Sequence, residues 1–483
     1  MATPIPANQA RFTTRSIAEA TGGAIVQGGA AASCGITTDS RAVVAGGAFV
    51  ALRGETSDGH AFIEAAVQRG ASVVVVERGR GASAQGADVV EVDDTLRAWG
   101  DLARGHLRAW RKTRGSTARV LAITGSAGKT TTKELCATIL GAVSACLATR
   151  GNLNNRIGLP ATAFCVEAGH TYAVLEAGMS MPGEIAELAR IAEPDVAIVT
   201  NIGVAHAGGV GGALADVARE KGALFAGLAP GGVAIVNVDD RAAVERAEVS
   251  GAQTKIGFGR GAGARYRIES CESRGGGEAY VVVVRDGERI EVELPILGEA
   301  AALDFAAALA AADAALRTPV AVATLRSIWF LPVAGRGAVR RLGDDVLLVD
   351  DTYNANPASV RNALAGLAEI GRVESRRTVA VLGEMRELGA VAEAEHTAVG
   401  DALVSAGVAL VIGSGGLVDL ALARAAEGGI ETIRGTSTAD AAQRAVAAIR
   451  PRDVVLVKGS RGVALERVVD EIVRAVGLPE GAR

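Results

Sequence analysis

The chain has 483 residues, room for two to four domains at roughly 100–200 residues each. Its 50 Lys and Arg against 54 Asp and Glu leave a net charge of -4, which excludes a basic nucleic-acid-binding surface as the main theme and falls short of a disordered acidic tail. Hydrophobic residues at 49% and charged ones at 22% give a soluble globular balance, and 8 Phe, 4 Tyr and 3 Trp are too few for nucleic-acid stacking platforms.

The N-terminal MATPIPANQARFTTRS lacks the apolar core of a signal peptide. No window of about 18 residues is apolar and free of charge, Gly and Pro, so no membrane span is expected. Cys34, Cys136, Cys146, Cys165 and Cys271 are odd in number and lack paired spacing. They predict neither a disulfide framework nor a zinc site, and are expected to be small buried hydrophobes. The expectation is a reduced, cytoplasmic protein. Only 6 of the 50 basic residues are Lys, so a lysine retained here is a modest pointer to a need for its amine.

Along the chain, GGAFVAL, ASVVVVE and DVVEV read as short strands separated by turns. A helical pattern follows from Leu96 to Trp110, and RKTRGSTAR (111–119) reads as a polar linker. From Val120, strands alternate with helices, the signature of a parallel α/β sheet: VLAIT, AVLE, VAIVTNIG and VAIVNVDD. Residues 264–297 read as a small antiparallel insertion, and the Ala-rich LDFAAALAAADAAL as a closing helix. After PVAGRG a third block repeats parallel-type strands in VLLVDD, TVAVLGEM, ALVIGS and VVLVKGS. Three α/β domains are predicted: 1–115, 116–332 and 333–483.

The strongest local signal is Gly125-Ser126-Ala127-Gly128-Lys129-Thr130-Thr131 between a strand and a helix. Glycines let successive N–H groups curl towards phosphate, and the helix N-terminus adds its dipole. Lys129 would reach the β/γ-phosphates and Thr130 would complete a Mg²⁺ shell, on a loop shorter than the usual spacing. Glu176 ends the strand AVLE, where a carboxylate suits Mg²⁺ but equally fits an ordinary strand end. His206, beyond another strand end, is structural by default and gains weight as a second metal-type candidate. Lys221 in DVAREKGALF reads by itself as a solvated helix lysine. Asp350-Asp351-Thr-Tyr-Asn354-Ala-Asn356-Pro357 closes a strand with two acids and a polar turn, and Lys458-Gly-Ser-Arg461 repeats the theme.

These segments resemble the Mur ligases, ATP-dependent amide-bond ligases of peptidoglycan precursor synthesis. ITTDSRAV, TGSAGKTTTKE, GNLNNRIGLP, LEAGMSMPGEIAEL, TNIGVAHAGG, GRGAVRRL, DDTYNANPASV, LGEMRELG and VKGSRG occur in the family's order over nearly the whole chain. The resemblance implies a central P-loop ATPase-like domain, flanked by an N-terminal α/β domain for the UDP-linked substrate and a C-terminal Rossmann-like domain. GNLNNRIGLP with DDTYNANP is similar to members that join D-alanyl-D-alanine to UDP-N-acetylmuramoyl-tripeptide. By that likeness Gly125 to Thr131, with Arg336 and Asp351, hold ATP. Thr130, Glu176, His206 and a carbamylated Lys221 surround Mg²⁺, with Lys129, Lys221 and His206 catalytic. Ser40 and Arg41 meet the UDP end, and Asn152, Asn154, Asn354 and Asn356 the peptide substrates. A cytoplasmic monomer acting on small molecules, without nucleic acid, is expected.

The chain departs from the family where a His-Asn-x-x-Asn run usually lies near the adenine: it has Ala300-Ala-Ala-Leu-Asp304, and Ala223 stands where a glutamate is frequent. Two competing readings are a ligase that glutamylates folate, which DDTYNANP disfavours, and a nucleotide-binding regulator without catalysis.

Overall fold

The computed structural model describes residues 3–54, 57–203, 213–296 and 298–478. The first domain's five-stranded sheet has the order Ala24–Gln27, Asp88–Val92, Val73–Glu77, Ala48–Val50, Ile36–Thr37. All neighbours but the first pair run parallel. Its central strand, VVVVE, is buried along its apolar run, as a parallel sheet covered on both faces requires.

The following helix, Thr95–Arg114, starts at Asp94, whose carboxylate accepts from the amides of Leu96 and Arg97. Its stripe of Trp99, Leu102, Ala103, Leu107 and Trp110 is buried at helical spacing. That stripe packs against the second domain: the Trp99 and Phe164 rings lie 4.7 Å apart in one core shared by both domains. The indole N–H groups of Trp99 and Trp110 donate to the carbonyls of Ile157 (3.0 Å) and His170 (3.2 Å). The expected polar linker is a correction. Arg111 to Arg114 are the helix's last turn, and Arg111 reaches the Glu193 carbonyl at 2.5 Å and Asp195 at 3.2 Å. The polarity there marks a hydrogen-bonded interface between domains.

The central sheet has nine strands, in the order Cys146–Ala148, Tyr172–Glu176, Arg119–Thr124, Val196–Val199, Val233–Asn237, Thr254–Gly259, Tyr266–Gly275, Glu278–Arg285, Glu288–Leu294. From Arg119–Thr124 the chain goes out to the edge strand Cys146–Ala148 and back to Tyr172–Glu176 on one side, and later adds Val196–Val199 on the other. The loop after Arg119–Thr124 therefore stands at a topological switch point, where open α/β sheets bind ligands. The expected insertion is seen as the strands Tyr266–Gly275, Glu278–Arg285 and Glu288–Leu294, antiparallel among themselves but joined to the sheet through a parallel pairing of Tyr266 with Phe258, so they extend the central sheet at its edge. The Ala-rich helix Gly298–Leu316 is buried on all sides between this sheet and its neighbours.

The third domain's six-stranded sheet runs Ala338–Arg341, Leu347–Asp351, Val454–Lys458, Thr378–Leu382, Leu410–Gly413, Glu431–Arg434, with apolar cores on both faces. Asp351 and Lys458 are register partners at the ends of adjacent parallel strands. All five cysteines are free thiols; only Cys136 is buried, so the expectation of five buried hydrophobes holds for one. No helix among the described residues is long and apolar enough to cross a membrane.

Candidate active site

The C-terminal strand edges of the second and third domains face each other across a cleft of about 410 Å³. On one wall, strand Arg119–Thr124 runs into the turn Gly125–Gly128 and then helix Lys129–Gly141. Glycine is required twice. A Cβ on Gly125 would lie 1.9 Å from Thr200 Oγ1, and Gly128 caps the helix at φ +80°. The turn is held from behind. Asn201 Oδ1 accepts from the Ala127 amide at 2.9 Å, Thr200 Oγ1 donates to the Ala127 carbonyl at 2.5 Å, and Ser126 Oγ donates to Gly203 O at 2.9 Å.

Two lysines converge here, Lys221 buried and Lys129 half-buried. Lys129 Nζ donates to the Gly125 carbonyl at 2.8 Å and Lys221 Nζ to the same oxygen at 3.0 Å. Lys221, which alone reads as a solvated helix lysine, is 1% exposed. Burial drives its amine well below the ordinary lysine value, and the neighbouring Lys129 charge adds to that against the pull of Glu220. Burial also lowers Lys129, with Glu176 opposing and Arg336 reinforcing.

Glu176 ends its strand one strand away from the turn. Its two oxygens accept from Thr130 Oγ1 (2.9 Å) and Asn154 Nδ2 (2.8 Å), and its amide donates to Thr149 Oγ1 at 2.9 Å. Lys133, which sequence reasoning missed, donates to the Thr149 carbonyl at 2.6 Å and so steadies the loop behind Glu176. Four of the six lysines, Lys129, Lys133, Lys221 and Lys458, are engaged around the cleft in this way, a signal the lysine scarcity already carried. His206 lies outside the described residues. Among those described, no group of three His, Cys, Asp or Glu side chains is placed to hold a metal ion by itself.

The opposite wall is the DDTYNANP turn. Asn356 caps helix Pro357–Glu374 in a reciprocal capping box with Ser359, and its Nδ2 donates across the cleft to the Ser126 carbonyl at 3.0 Å. Lys458 Nζ donates to Asp351 (2.6 Å) and to the Asn354 carbonyl (3.0 Å). Burial raises the Asp351 carboxyl, with the Lys458 charge pulling the other way. Arg336 lies 3.8 Å over the Tyr353 ring, at the rim. A second, smaller cavity of about 170 Å³ opens beside Asn354 and Asn356, lined also by Arg386, Ser460 and Arg461. Ser460 ties its floor together, accepting from the Arg386 amide at 2.8 Å and donating to the Ala355 carbonyl at 3.3 Å. Nothing in LGEMRELG by itself sets Arg386 apart from a solvated arginine.

Of the remaining expected residues, Asn152 belongs to the cleft while Ser40 and Arg41 sit apart from it. Asn152 lines the cleft and accepts from Thr3 Oγ1 at 2.7 Å. Ser40 and Arg41 form a short turn capped by Asp39, with Arg41 exposed and paired to Asp39 at 2.9 Å. Among the described residues, nothing before Ser126 lines the cleft. Asp304, the polar remnant of the altered adenine segment, turns instead to the phosphate-loop helix and accepts from Thr132 Oγ1 at 3.1 Å.

Family models match in order across the chain: Mur ligase family, catalytic domain, over residues 34–106; Mur ligase middle domain over 123–312; and Mur ligase, glutamate ligase domain, over 335–461. The UDP-N-acetylmuramoyl-tripeptide--D-alanyl-D-alanine ligase of Escherichia coli (strain K12) is 35% identical over 439 residues, covering 90% of this chain and 92% of that protein. A crystal structure of MurF from Acinetobacter baumannii aligns with a TM-score of 0.83 at 30% identity, covering 97% of this chain and 100% of that one. The MurF ligase from Thermotoga maritima, solved in complex with ADP, gives 0.78 at 28% identity over 91% and 97%. With its three blocks matched in sequence order and a relative 35% identical over 90% of its length, the chain belongs to the Mur ligase family.

Proposed function

We propose that this Mur ligase uses ATP to join D-alanyl-D-alanine to the tripeptide of UDP-N-acetylmuramoyl-tripeptide, in the cytoplasm, with residues 1–115 taking the UDP end, 116–332 the ATP and 333–483 the acceptor. The observation that carries this is Asn356 bonded to Ser126: the DDTYNANP turn is seated directly on the phosphate loop. The substrates are those for which the Escherichia coli relative is named, and ADP is the nucleotide bound in the Thermotoga maritima structure.

The tripeptide carboxylate attacks the γ-phosphorus of ATP, giving an acyl phosphate and ADP. The dipeptide's free amine then attacks the acyl carbon, and the tetrahedral intermediate expels phosphate as the nitrogen gives up its proton. Lys129 and the first-turn amides of helix Lys129–Gly141 stabilise charge on the transferring group. Arg386 and Arg461 line the second cavity beside Glu387, each only loosely paired, with Glu384 at 3.7 Å and Glu466 at 3.5 Å, whereas Lys458 is held by Asp351 at 2.6 Å; the two arginines supply the cationic surface for the dipeptide's carboxylate. A dipeptide anchored there points its amine past Asn356 towards the phosphate loop. Closure of the third domain excludes water from the acyl phosphate.

The Thr130 hydroxyl and Glu176 carboxylate, 2.9 Å apart, are hard oxygen donors of the kind Mg²⁺ takes. A Lys221 ammonium does not fit such a shell, but its carbamate does: a neutral amine adds CO₂ and loses a proton, and the depressed Lys221 value favours that neutral form. Thr130, Glu176, carbamylated Lys221 and His206 would hold the ion, which when bound neutralises phosphoryl charge.

The test is ATP-dependent phosphate release with each substrate omitted in turn. Release that requires both the UDP-linked tripeptide and D-alanyl-D-alanine is expected. Equal release without either, or full activity with glutamate as acceptor, would overturn the assignment.

A further inference from the structure

Asp304 lies on the buried helix Gly298–Leu316, lines the cleft, and meets both ends of the first turn of the phosphate-loop helix. A Cβ on Gly128 would fall 2.2 Å from Asp304 Oδ1, so the carboxyl fills the space beside that glycine. Four residues on, Thr132 Oγ1 donates to the same Oδ1 at 3.1 Å. Lys129 and Thr130 lie between these two contacts.

We propose that Asp304 is a positioning residue for the phosphate loop, holding the turn from Gly128 to Thr132 as a neutral carboxylic acid. The proposal rests on the reading of this loop as a nucleotide site. Asp304 is buried, receives one hydroxyl, and pairs with no cation among the described residues. An ionised carboxylate there would be poorly compensated and would repel an incoming polyphosphate. Burial pushes its carboxyl up to about 8, against the Thr132 hydrogen bond and the Arg336 charge. The charged or titratable groups facing it are Arg336, from the segment before Ala338–Arg341, and Cys136, from helix Lys129–Gly141. The protonated acid acts as an amide does, one oxygen accepting and the other able to donate.

ADP binding, measured by calorimetry on the full chain, tests this without invoking ligase turnover. Asp304→Ala should weaken ADP binding by about tenfold, the cost of one hydrogen-bonded contact. Asp304→Asn should recover most of that loss, because the amide mimics the neutral acid. Thr132→Val should weaken binding in the same direction, and serves where Asp304→Ala fails to fold. Wild-type affinity should fall as pH rises through about 8 and Asp304 ionises, whereas Asp304→Asn should not follow that fall. Asp304→Ala or Thr132→Val binding ADP as tightly as wild type would overturn the proposal, as would Asp304→Asn being as weak as Asp304→Ala at neutral pH. A wild-type chain that binds no ADP would instead remove the nucleotide site on which it rests.

Discussion

Lys129 and Lys221, 92 residues apart in the chain, donate to one carbonyl oxygen, that of Gly125, at 2.8 and 3.0 Å. Protonating both the half-buried Lys129 and the buried Lys221 on this one neutral acceptor would leave a surplus of positive charge at the mouth of a helix N-terminus, which is why burial and the Lys129 charge depress the Lys221 amine. Such a surplus is relieved by a polyphosphate, or by converting one amine to an anion.

Lys129→Ala should lower kcat by on the order of 10²–10³, the usual cost of one preorganised charge donor, with the fold intact by circular dichroism. A steady-state rate within about threefold of wild type would remove Lys129 from the phosphate site.

Lys221→Met should abolish turnover yet raise the melting temperature of the ligand-free protein at neutral pH. The folded-state amine lies well below its unfolded value of 10.5, so between those values the unfolded chain binds more protons and wild-type stability rises with pH. The stability gap between wild type and variant should therefore narrow as pH approaches about 10 in CO₂-free buffer. A gap that widens with pH would contradict the burial. Intact mass in bicarbonate should show one added CO₂ on wild type that the variant lacks.

Arg41→Ala and Arg386→Ala should separate the two ends of the reaction. Arg41 is exposed on the first domain, and its loss should raise the KM for the UDP-linked substrate and leave that for ATP unchanged. Arg386→Ala should raise the KM for D-alanyl-D-alanine on the order of tenfold or more, as removal of a charge-assisted bond does. Reversed patterns in initial-rate kinetics would exchange or cancel these roles.

Trp99→Ala should cost about 3–5 kcal/mol in denaturant unfolding, because its ring fills a core that two domains share with Phe164. The first and second domains should melt in one transition by calorimetry. Two separate transitions, with only the first shifted by the substitution, would show that the shared core does not couple them.

The sequence alone carried the class of fold and the order of its blocks. Strand-type apolar runs and helical periodicity are local properties, and so is the strand–glycine turn–helix context of Gly125 to Thr131. Local chemistry also fixed why DDTYNANP ends a strand in a capped helix, since Asn356, Pro357 and Ser359 supply the whole start signal. Burial and partnership were decided only by the tertiary structure. Lys221 on its own helix is indistinguishable from a solvated lysine; packing against the central sheet removes its water and delivers it to Gly125. Arg111 to Arg114 look like a linker until their helix is laid against Glu193 and Asp195. Asp304 shows no relation to Thr132 across 172 residues until two helices pack, and Arg386 joins Arg461 only because parallel strands bring their loops to one edge. Periodicity encodes which face a residue takes, whereas the partner it meets there depends on contacts between segments far apart in the chain, which no local pattern contains.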